Sequence, residues 1–419
     1  MSERVKRRKV NYPTNSIDGR INSQRASSEG EKRPWNGFCE LESEPAIFNV
    51  MLREFGITGV QVQEVLSLED KFLDTLNKPV YGIIFLFRWR EDDPEKQEAS
   101  CPEGLWFANQ TAGNACATVA LLNIVNNIEG ADLGENLRNF KDFTMPFTPA
   151  LRGDAINNFE FVKRIHNSFA KRMDVLNSDF QLKYEVASKR NRSKKSGREE
   201  HEADAGFHFI AFVPALGKVW RFDGLERQPQ ALGVFEPESN WLSLVKPSIE
   251  ARMAEYDEGQ IEFSVLSLGR DPLPDLVEQL AMNIKQLQLA ERTITSRQQK
   301  GSGSGPQVIP NFVENTLLGS DMSYGVTDKA LNEAAIAPGK AEEYLGYSTD
   351  ELAKHCANMR TAQEKLRIEI RDKQQLHQAD EEYAEGRRYD YGPAIRTWLR
   401  FMARKRMVEE LIPMSQWSG

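Results

Sequence analysis

Apolar side chains are nearly absent before Trp35, dense and of mixed period to about residue 268, and thinned to narrow stripes beyond it. Residues 1–33 are rich in Ser, Asn, Lys and Arg and offer too little apolar surface to bury, which predicts a disordered basic tail. Pro45–Phe55 (PAIFNVMLREF) has helical apolar spacing, and Gly56-Ile57-Thr58-Gly59 punctuates it before Val60, Val62, Val65 and Leu66. Val80–Trp89 (VYGIIFLFRW) is β-branched and aromatic and predicts a buried strand. Glu91–Pro102 reads as a charged loop. Asn114–Asn127 (NACATVALLNIVNN) is apolar nearly all round, the pattern of a buried helix, and Leu151–Leu176 predicts further helix. Phe207–Val213 alternates and then runs apolar. A Pro-Ala-Leu-Gly turn follows, and Lys218–Asp223 (KVWRFD) completes a hairpin. Ahead of it, Ala187–Gly206 carries six Lys/Arg and then four acidic residues with no apolar period. A structureless loop of that length inside a compact domain is uncommon and often functional.

The second half differs in kind. Leu276–Thr295 predicts an exposed helix with Leu, Ile and Met on one face, and residues 296–345 contain the flexible linker Gly301–Pro306. Asp350–Arg388 is highly charged, with Leu352, Met359, Leu366 and Ile370 as a sparse stripe, which suits a long helix or coiled-coil hairpin. Ala394–Ile412 sets Ile395, Trp398, Leu399 and Met402 at helical spacing. So narrow a core calls for a partner surface, a self-packed hairpin being the alternative. The expected division is a tail (1–33), an α/β domain (34–268), a helix and linker (269–345) and a helical extension (346–419).

Composition narrows the function classes. The chain has 419 residues, 54 Lys plus Arg against 62 Asp plus Glu, and a net charge of −8. Direct nucleic-acid binding is not expected, since such domains are basic. The strongest apolar run, Val80–Phe87, is far short of the roughly 20 residues that span a bilayer, and no apolar segment follows the basic N-terminus as in a signal peptide. Neither membrane nor secretion is therefore expected. Cys39, Cys101, Cys116 and Cys356 are widely spaced, which fits a reducing intracellular compartment better than a disulfide framework or zinc ribbon. Val5-Lys6-Arg7-Arg8-Lys9-Val10 reads either as a nuclear import signal or as a solvated basic run.

The residue types able to do chemistry converge on one set. Cys116 begins the apolar helix after a Gly-Asn turn, and a helix N-terminus stabilises a thiolate; the plain alternative is a small buried cysteine. Of five histidines, His355 and His377 lie in the charged extension, His201 in the polar loop, and His166 on a helix where a structural role fits. His208 stands in a strand between Phe207 and Phe209, and antiparallel pairing brings Asp223 close to it, where a carboxylate orients the imidazole. Gln110, six residues before Cys116, offers an amide that with the Cys116 backbone N–H can face a developing oxyanion.

These residues sit in blocks that resemble the ubiquitin C-terminal hydrolase family of cysteine peptidases. The blocks are Leu41-Glu42-Ser43-Glu44-Pro45 with Phe48, Gln110-Thr111-Ala112-Gly113-Asn114-Ala115-Cys116-Ala117-Thr118, His166-Asn167-Ser168-Phe169-Ala170, and Phe207-His208-Phe209-Ile210 through Phe222-Asp223-Gly224-Leu225. The resemblance covers about residues 34–268 and implies a papain-like α/β fold, an antiparallel sheet between helices, with a heavily knotted backbone. It assigns Cys116 as nucleophile, His208 as general base, Asp223 as orienting carboxylate and Gln110 as oxyanion donor, with no metal or organic cofactor. It also makes Ala187–Gly206 the segment that crosses the active site and limits which conjugates enter. Arg388-Tyr389-Asp390-Tyr391-Gly392-Pro393-Ala394-Ile395 resembles a block in the long branch of the family, the proteasome- and Polycomb-associated deubiquitinases. That branch implies an all-α extension binding an adaptor over 346–412 and a nuclear and cytoplasmic location. The Lys-rich tail of some members is absent after Ile412. The expected substrate is ubiquitin and its conjugates. The alternatives are a ubiquitin-binding scaffold with a latent site, or a peptidase for another ubiquitin-like tail.

Overall fold

The computed structural model describes residues 37–90, 93–170, 206–236, 239–256, 263–300 and 316–405. The expected basic tail, the Ala187–Gly206 loop up to residue 205, and Gly301–Pro306 lie outside them. Six strands, β1 (Val60–Glu64), β2 (Val80–Arg88), β3 (Phe207–Ala215), β4 (Lys218–Phe222), β5 (Gln230–Val234) and β6 (Ser264–Arg270), form one antiparallel sheet. Their order is β1-β6-β2-β3-β4-β5. β2 is central and covered on both faces, which is why its sequence runs apolar instead of alternating. Ile83, Phe85 and Phe87 join Ile210, Phe212 and Val219 beneath a helix at Leu242–Met253. The helix Cys116–Val125 covers the opposite face. It comes so close that a Cβ on Gly82 would lie 2.6 Å from the Ile124 side chain.

The β3–β4 hairpin turns on Leu216 and Gly217, both at positive φ (52° and 72°), the geometry a two-residue hairpin loop demands. Helix α1 (Pro45–Phe55) has Pro at its first turn and left-handed Gly56 at its C-cap. Asn49 of α1 accepts from Val62 N–H (2.7 Å) and donates to its carbonyl (3.1 Å), so a side chain covers what would otherwise be an open sheet edge at β1. Further helices follow in chain order: α2 (Asp70–Leu73), α3 (Cys116–Val125), α4 (Gly134–Thr144), α5 (Pro149–Asn157), α6 (Glu160–Asn167) and α7 (Leu242–Met253). The helix expected over Leu151–Leu176 is present as two separate helices up to Asn167, and residues 171–176 lie outside the described residues. Thr148 caps α5 and Pro149 starts it, and the chain breaks at Asn158-Phe159, where Phe159 stacks on Phe140 at 4.5 Å.

The extension is all-α, as expected, but more thoroughly packed than its sequence suggests. Leu280, Ile284, Leu287 and Ala290 of α8 (Leu273–Lys300) are fully buried, so this helix is a core element and not an exposed one. Residues 316–346 are folded around it, with α9 (Asp328–Glu333), α10 (Lys340–Gly346) and the buried rings of Tyr324 and Tyr344. The flexible-linker expectation therefore does not extend over this stretch. Helix α11 (Thr349–Arg388) has 40 residues, or about 60 Å at 1.5 Å per residue, and starts with a full Ser348/Glu351 capping box. Its first half packs on α8. Its second half crosses α1 and ends against the α/β domain through ion pairs: Arg53 with Glu381 (2.9 Å), Arg388 with Glu54 (2.8 Å) and Arg387 with Glu42 (3.2 Å). Helix α12 (Gly392–Arg404) buries none of its residues and leaves Ile395, Trp398, Leu399 and Phe401 exposed. No helix among the described residues is long and apolar enough to cross a membrane.

Candidate active site

Cys116 is the first residue of α3. The turn before it needs a left-handed residue, and Asn114 supplies it at φ 58°, a conformation Asn tolerates better than other side chains. The thiol opens on a cleft of about 170 Å³ walled by Leu41, Glu42, Leu86, Asn114, Phe207 and Phe209. Helix α3 is apolar on most sides, yet Asn123 within it and Asn127 just past its end serve a purpose that apolar patterning hides. Asn123 accepts from Ala108 N–H (2.8 Å) and Asn127 from Trp106 N–H (3.0 Å), and each donates back to the same residue's carbonyl. They hold segment 106–108, which leads to Gln110, along the helix. Buried Arg152 holds the same segment from the other side, donating to the Leu105 (3.0 Å) and Phe107 (3.1 Å) carbonyls.

Gln110 is anchored through its backbone N–H to Gly224 O (2.8 Å), one residue past Asp223. Its side-chain Oε1 is buried with no hydrogen-bond partner among the described residues. Two glycines permit this approach. A Cβ on Gly224 would lie 3.0 Å from Gln110 Cβ, and one on Gly153 of α5 would lie 2.2 Å from the Asn109 carbonyl oxygen. Since backbone cannot yield as a side-chain tip does, Gly153→Ala is expected to destabilise the fold by about 1–3 kcal/mol. It should also lower turnover several-fold by displacing Gln110. Melting temperature and turnover together check this, and unchanged values in both would contradict it.

His208 and Asp223 meet as the hairpin register dictates. Ala211 faces Phe222, so position 223 is level with 210, and 208 is one diagonal step away on the same face. His208 Nε2 lies 2.6 Å from Asp223 Oδ1, with both side chains almost fully buried. Nε2 being committed to Asp223, Nδ1 is the nitrogen left for Cys116, whose side chain hydrogen-bonds the ring. Burial disfavours a charged imidazole here. The Asp223 carboxylate and the Cys116 bond outweigh it and push the His208 pKa up to about 9. Asp223 moves the other way. Burial raises its pKa, but the His208 ring, Arg221 and the Leu225 N–H (3.0 Å) together hold it below the usual carboxylate range.

His166 is a structural histidine. Its Nε2–H donates to the Cys39 carbonyl (2.7 Å), so its Nδ1 accepts from Thr118 Oγ1 (2.7 Å), tying the N-terminal segment to α3. Burial pulls its pKa down to about 4. Because the folded value lies below the ordinary 6.5, its contribution is present above pH 6.5 and lost as pH falls towards 4. The loss amounts to about 3 kcal/mol. Denaturant midpoints measured between pH 7 and pH 4 should fall accordingly; a flat profile would contradict this.

Two distant segments thus meet: His208 pairs with Asp223 and with the Cys116 side chain, and Gln110 is tied to the residue after Asp223, while Cys116 itself lines the cleft. Arg152, Gly153, Asn123, Asn127, Arg221 and Gly224 escaped sequence reasoning. Only the Asn pair, spaced by one helical turn, left a local signal.

Comparison with known proteins agrees with the geometry. The profile of "Ubiquitin carboxyl-terminal hydrolase, family 1" matches residues 38–254. Ubiquitin carboxyl-terminal hydrolase isozyme L5 of Dictyostelium discoideum is 38% identical over 244 residues, 58% of this chain and 65% of that protein. Ubiquitin carboxyl-terminal hydrolase ubh-4 of Caenorhabditis elegans is 35% identical over 260 residues, 61% of this chain and 74% of that protein. The match therefore spans just under two thirds of the Dictyostelium protein. Among solved structures, the Trichinella spiralis UCH37 catalytic domain bound to ubiquitin vinyl methyl ester aligns at 30% identity with a TM-score of 0.43. It covers 56% of this chain and 96% of that one. A profile matching more than half of the chain, over a segment that holds the thiol, the imidazole and the carboxylate, shows that this protein belongs to the ubiquitin carboxyl-terminal hydrolase family 1, a family of cysteine hydrolases.

Proposed function

We propose that the chain is a deubiquitinating cysteine peptidase that cleaves the bond following the C-terminal glycine of ubiquitin. The observation that carries this is the buried His208–Asp223 pair beside a thiol at a helix N-terminus, within a domain of this family. With its pKa near 9, His208 holds a proton at neutral pH; in the reaction the Cys116 sulfur attacks as a thiolate, its proton on the imidazole. The thiolate attacks the glycine carbonyl carbon. The carbonyl oxygen becomes an oxyanion, received by the Gln110 amide and the Cys116 backbone N–H. His208 then gives its proton to the leaving amine, the C–N bond breaks, and an acyl-thioester remains. His208 next takes a proton from water, which attacks the thioester and releases ubiquitin and the thiol. Asp223 keeps the imidazole in the tautomer that presents Nδ1 to sulfur.

The extension is read as an adaptor-binding arm over residues 346–412. Support comes from α12, whose exposed Trp398, Ile395, Leu399 and Phe401 form an apolar face too large for a helix end with no partner. The class of adaptor is that of a proteasome or chromatin complex, and the location nuclear and cytoplasmic, as the long branch of the family implies. The test of the main reading is release of a fluorophore from the C-terminus of ubiquitin by the purified full chain, beside the same fluorophore on other ubiquitin-like proteins. Turnover of ubiquitin is expected. Turnover of another ubiquitin-like tail alone would replace the substrate, and silence towards all of them would remove the enzyme reading.

A further inference from the structure

Arg221 lies in β4 directly across from Phe212, on the face that packs Phe85 and Ile210 against α7. An apolar residue would suit that position, since a guanidinium is costly to bury unless it is paired. Arg221 is buried and is paired: with Asp223 Oδ2 at 3.5 Å, Glu226 Oε1 at 3.4 Å and Gln230 Oε1 at 3.1 Å. The two acids it grips are the two ends of one tight turn. Within that turn Glu226 N–H donates to the Asp223 carbonyl (3.1 Å), and Leu225 N–H donates to Asp223 Oδ1 (3.0 Å).

The same turn receives the other half of the site. Gln110 N–H donates to Gly224 O at 2.8 Å, and the Asn109 side-chain amide donates to the carbonyls of Gly224 and Glu226. One face of the Asp223–Glu226 turn therefore orients the imidazole, and the other carries the loop of the oxyanion donor. We propose that Arg221 is a positioning residue of this hydrolase: by clamping Asp223 to Glu226 it holds the carboxylate behind His208 and the loop bearing Gln110 as one rigid piece. The inference rests on the hydrolase reading above and deepens it. The chemistry is unchanged. What Arg221 supplies is alignment, so its loss should be felt in the transition state more than in ubiquitin binding.

The experiment compares the full-length chain with Arg221→Met, Arg221→Lys and Glu226→Gln. It measures kcat and KM on the fluorogenic ubiquitin amide, with rates divided by the thiols that a ubiquitin-derived electrophile titrates. Arg221→Met is expected to lower kcat by about 10- to 100-fold with KM within twofold. Arg221→Lys, which cannot fork to both acids, should recover only part. Glu226→Gln, which keeps an acceptor oxygen for Arg221 at the far end of the turn but removes its charge, should lower kcat several-fold. Wild-type kcat in Arg221→Met, or a loss found wholly in the number of titratable thiols, overturns the proposal while the hydrolase reading stands. If Arg221→Met does not fold, wild-type kcat in Glu226→Gln overturns it in the same way. A wild-type chain that neither turns over nor labels overturns both.

Discussion

Cys116→Ala will reduce hydrolysis of ubiquitin C-terminal amides by about 10⁵- to 10⁶-fold, to the background without a nucleophile. No neighbour can replace it. Cys39 is buried against the His166 carbonyl, Cys101 lies among the Pro102 and Leu105 carbonyls, and Cys356 is buried in the extension. Burial also raises the thiol pKa of Cys101 and of Cys356, which keeps them protonated. The substitution removes one partly exposed sulfur from the start of a helix, where alanine is an adequate residue, so the fold should be unaffected. Affinity for ubiquitin should be kept, because the thiol is a small part of the contact surface. Turnover and a binding titration on the same preparation check this. Residual activity above about 1% would mean that another group can attack, and the mechanism would fall.

Asp223→Asn has the second largest expected effect, a fall in kcat of about 10³- to 10⁴-fold. The asparagine oxygen can still accept from Leu225 N–H, so the turn survives. What disappears is the charge that outweighs burial at His208. Without it burial wins and the imidazole pKa drops from about 9 to below the ordinary 6.5, leaving it neutral at pH 7. The alkaline limb of kcat/KM, near pH 9 in the wild type, should move down by more than two pH units. Stability gives an independent check. A histidine whose folded pKa is raised contributes stability that is fully present below pH 6.5 and lost as pH rises through about 9. The wild type should therefore weaken between these values and the variant should not. An alkaline limb that stays near 9 would show that Asp223 does not set the charge of His208.

The extension reaches further into the site than its distance in sequence suggests. Arg387, in the last turn of α11, pairs with Glu42, and Tyr383 donates to the same carboxylate at 3.4 Å; Glu42 is also a wall of the Cys116 cleft. A partner seated on α12, which follows directly, would thus act on a helix whose end already contacts that wall. The ion pairs of α11 with α1 lie on a partly hydrated surface and each is worth well under about 1 kcal/mol. The seat of α11 is accordingly held by many weak contacts.

What could be read from the chain was local. The hairpin Phe207–Asp223 declares its period, its turn and the parity that sets position 208 beside 223, and the helix at Cys116 declares its burial by composition. Four site residues followed from those two elements and the blocks around them. Tertiary structure alone decided the rest, because burial belongs to a pair of surfaces and not to one segment. The Leu and Ile face of α8 has the same pattern whether exposed or covered, and only the arrival of α11 makes it core. Asn123, Asn127 and Arg152 look like polar interruptions until the 105–108 segment lies beside them, when their amides and guanidinium satisfy backbone that would otherwise be buried unpaired. β1 joins β6 across roughly 200 residues, a pairing no local period encodes. The sequence pointed to the residues proposed to carry the chemistry; the packing of distant segments decided how rigidly they are held, since that rigidity comes from contacts made only when the whole chain has closed.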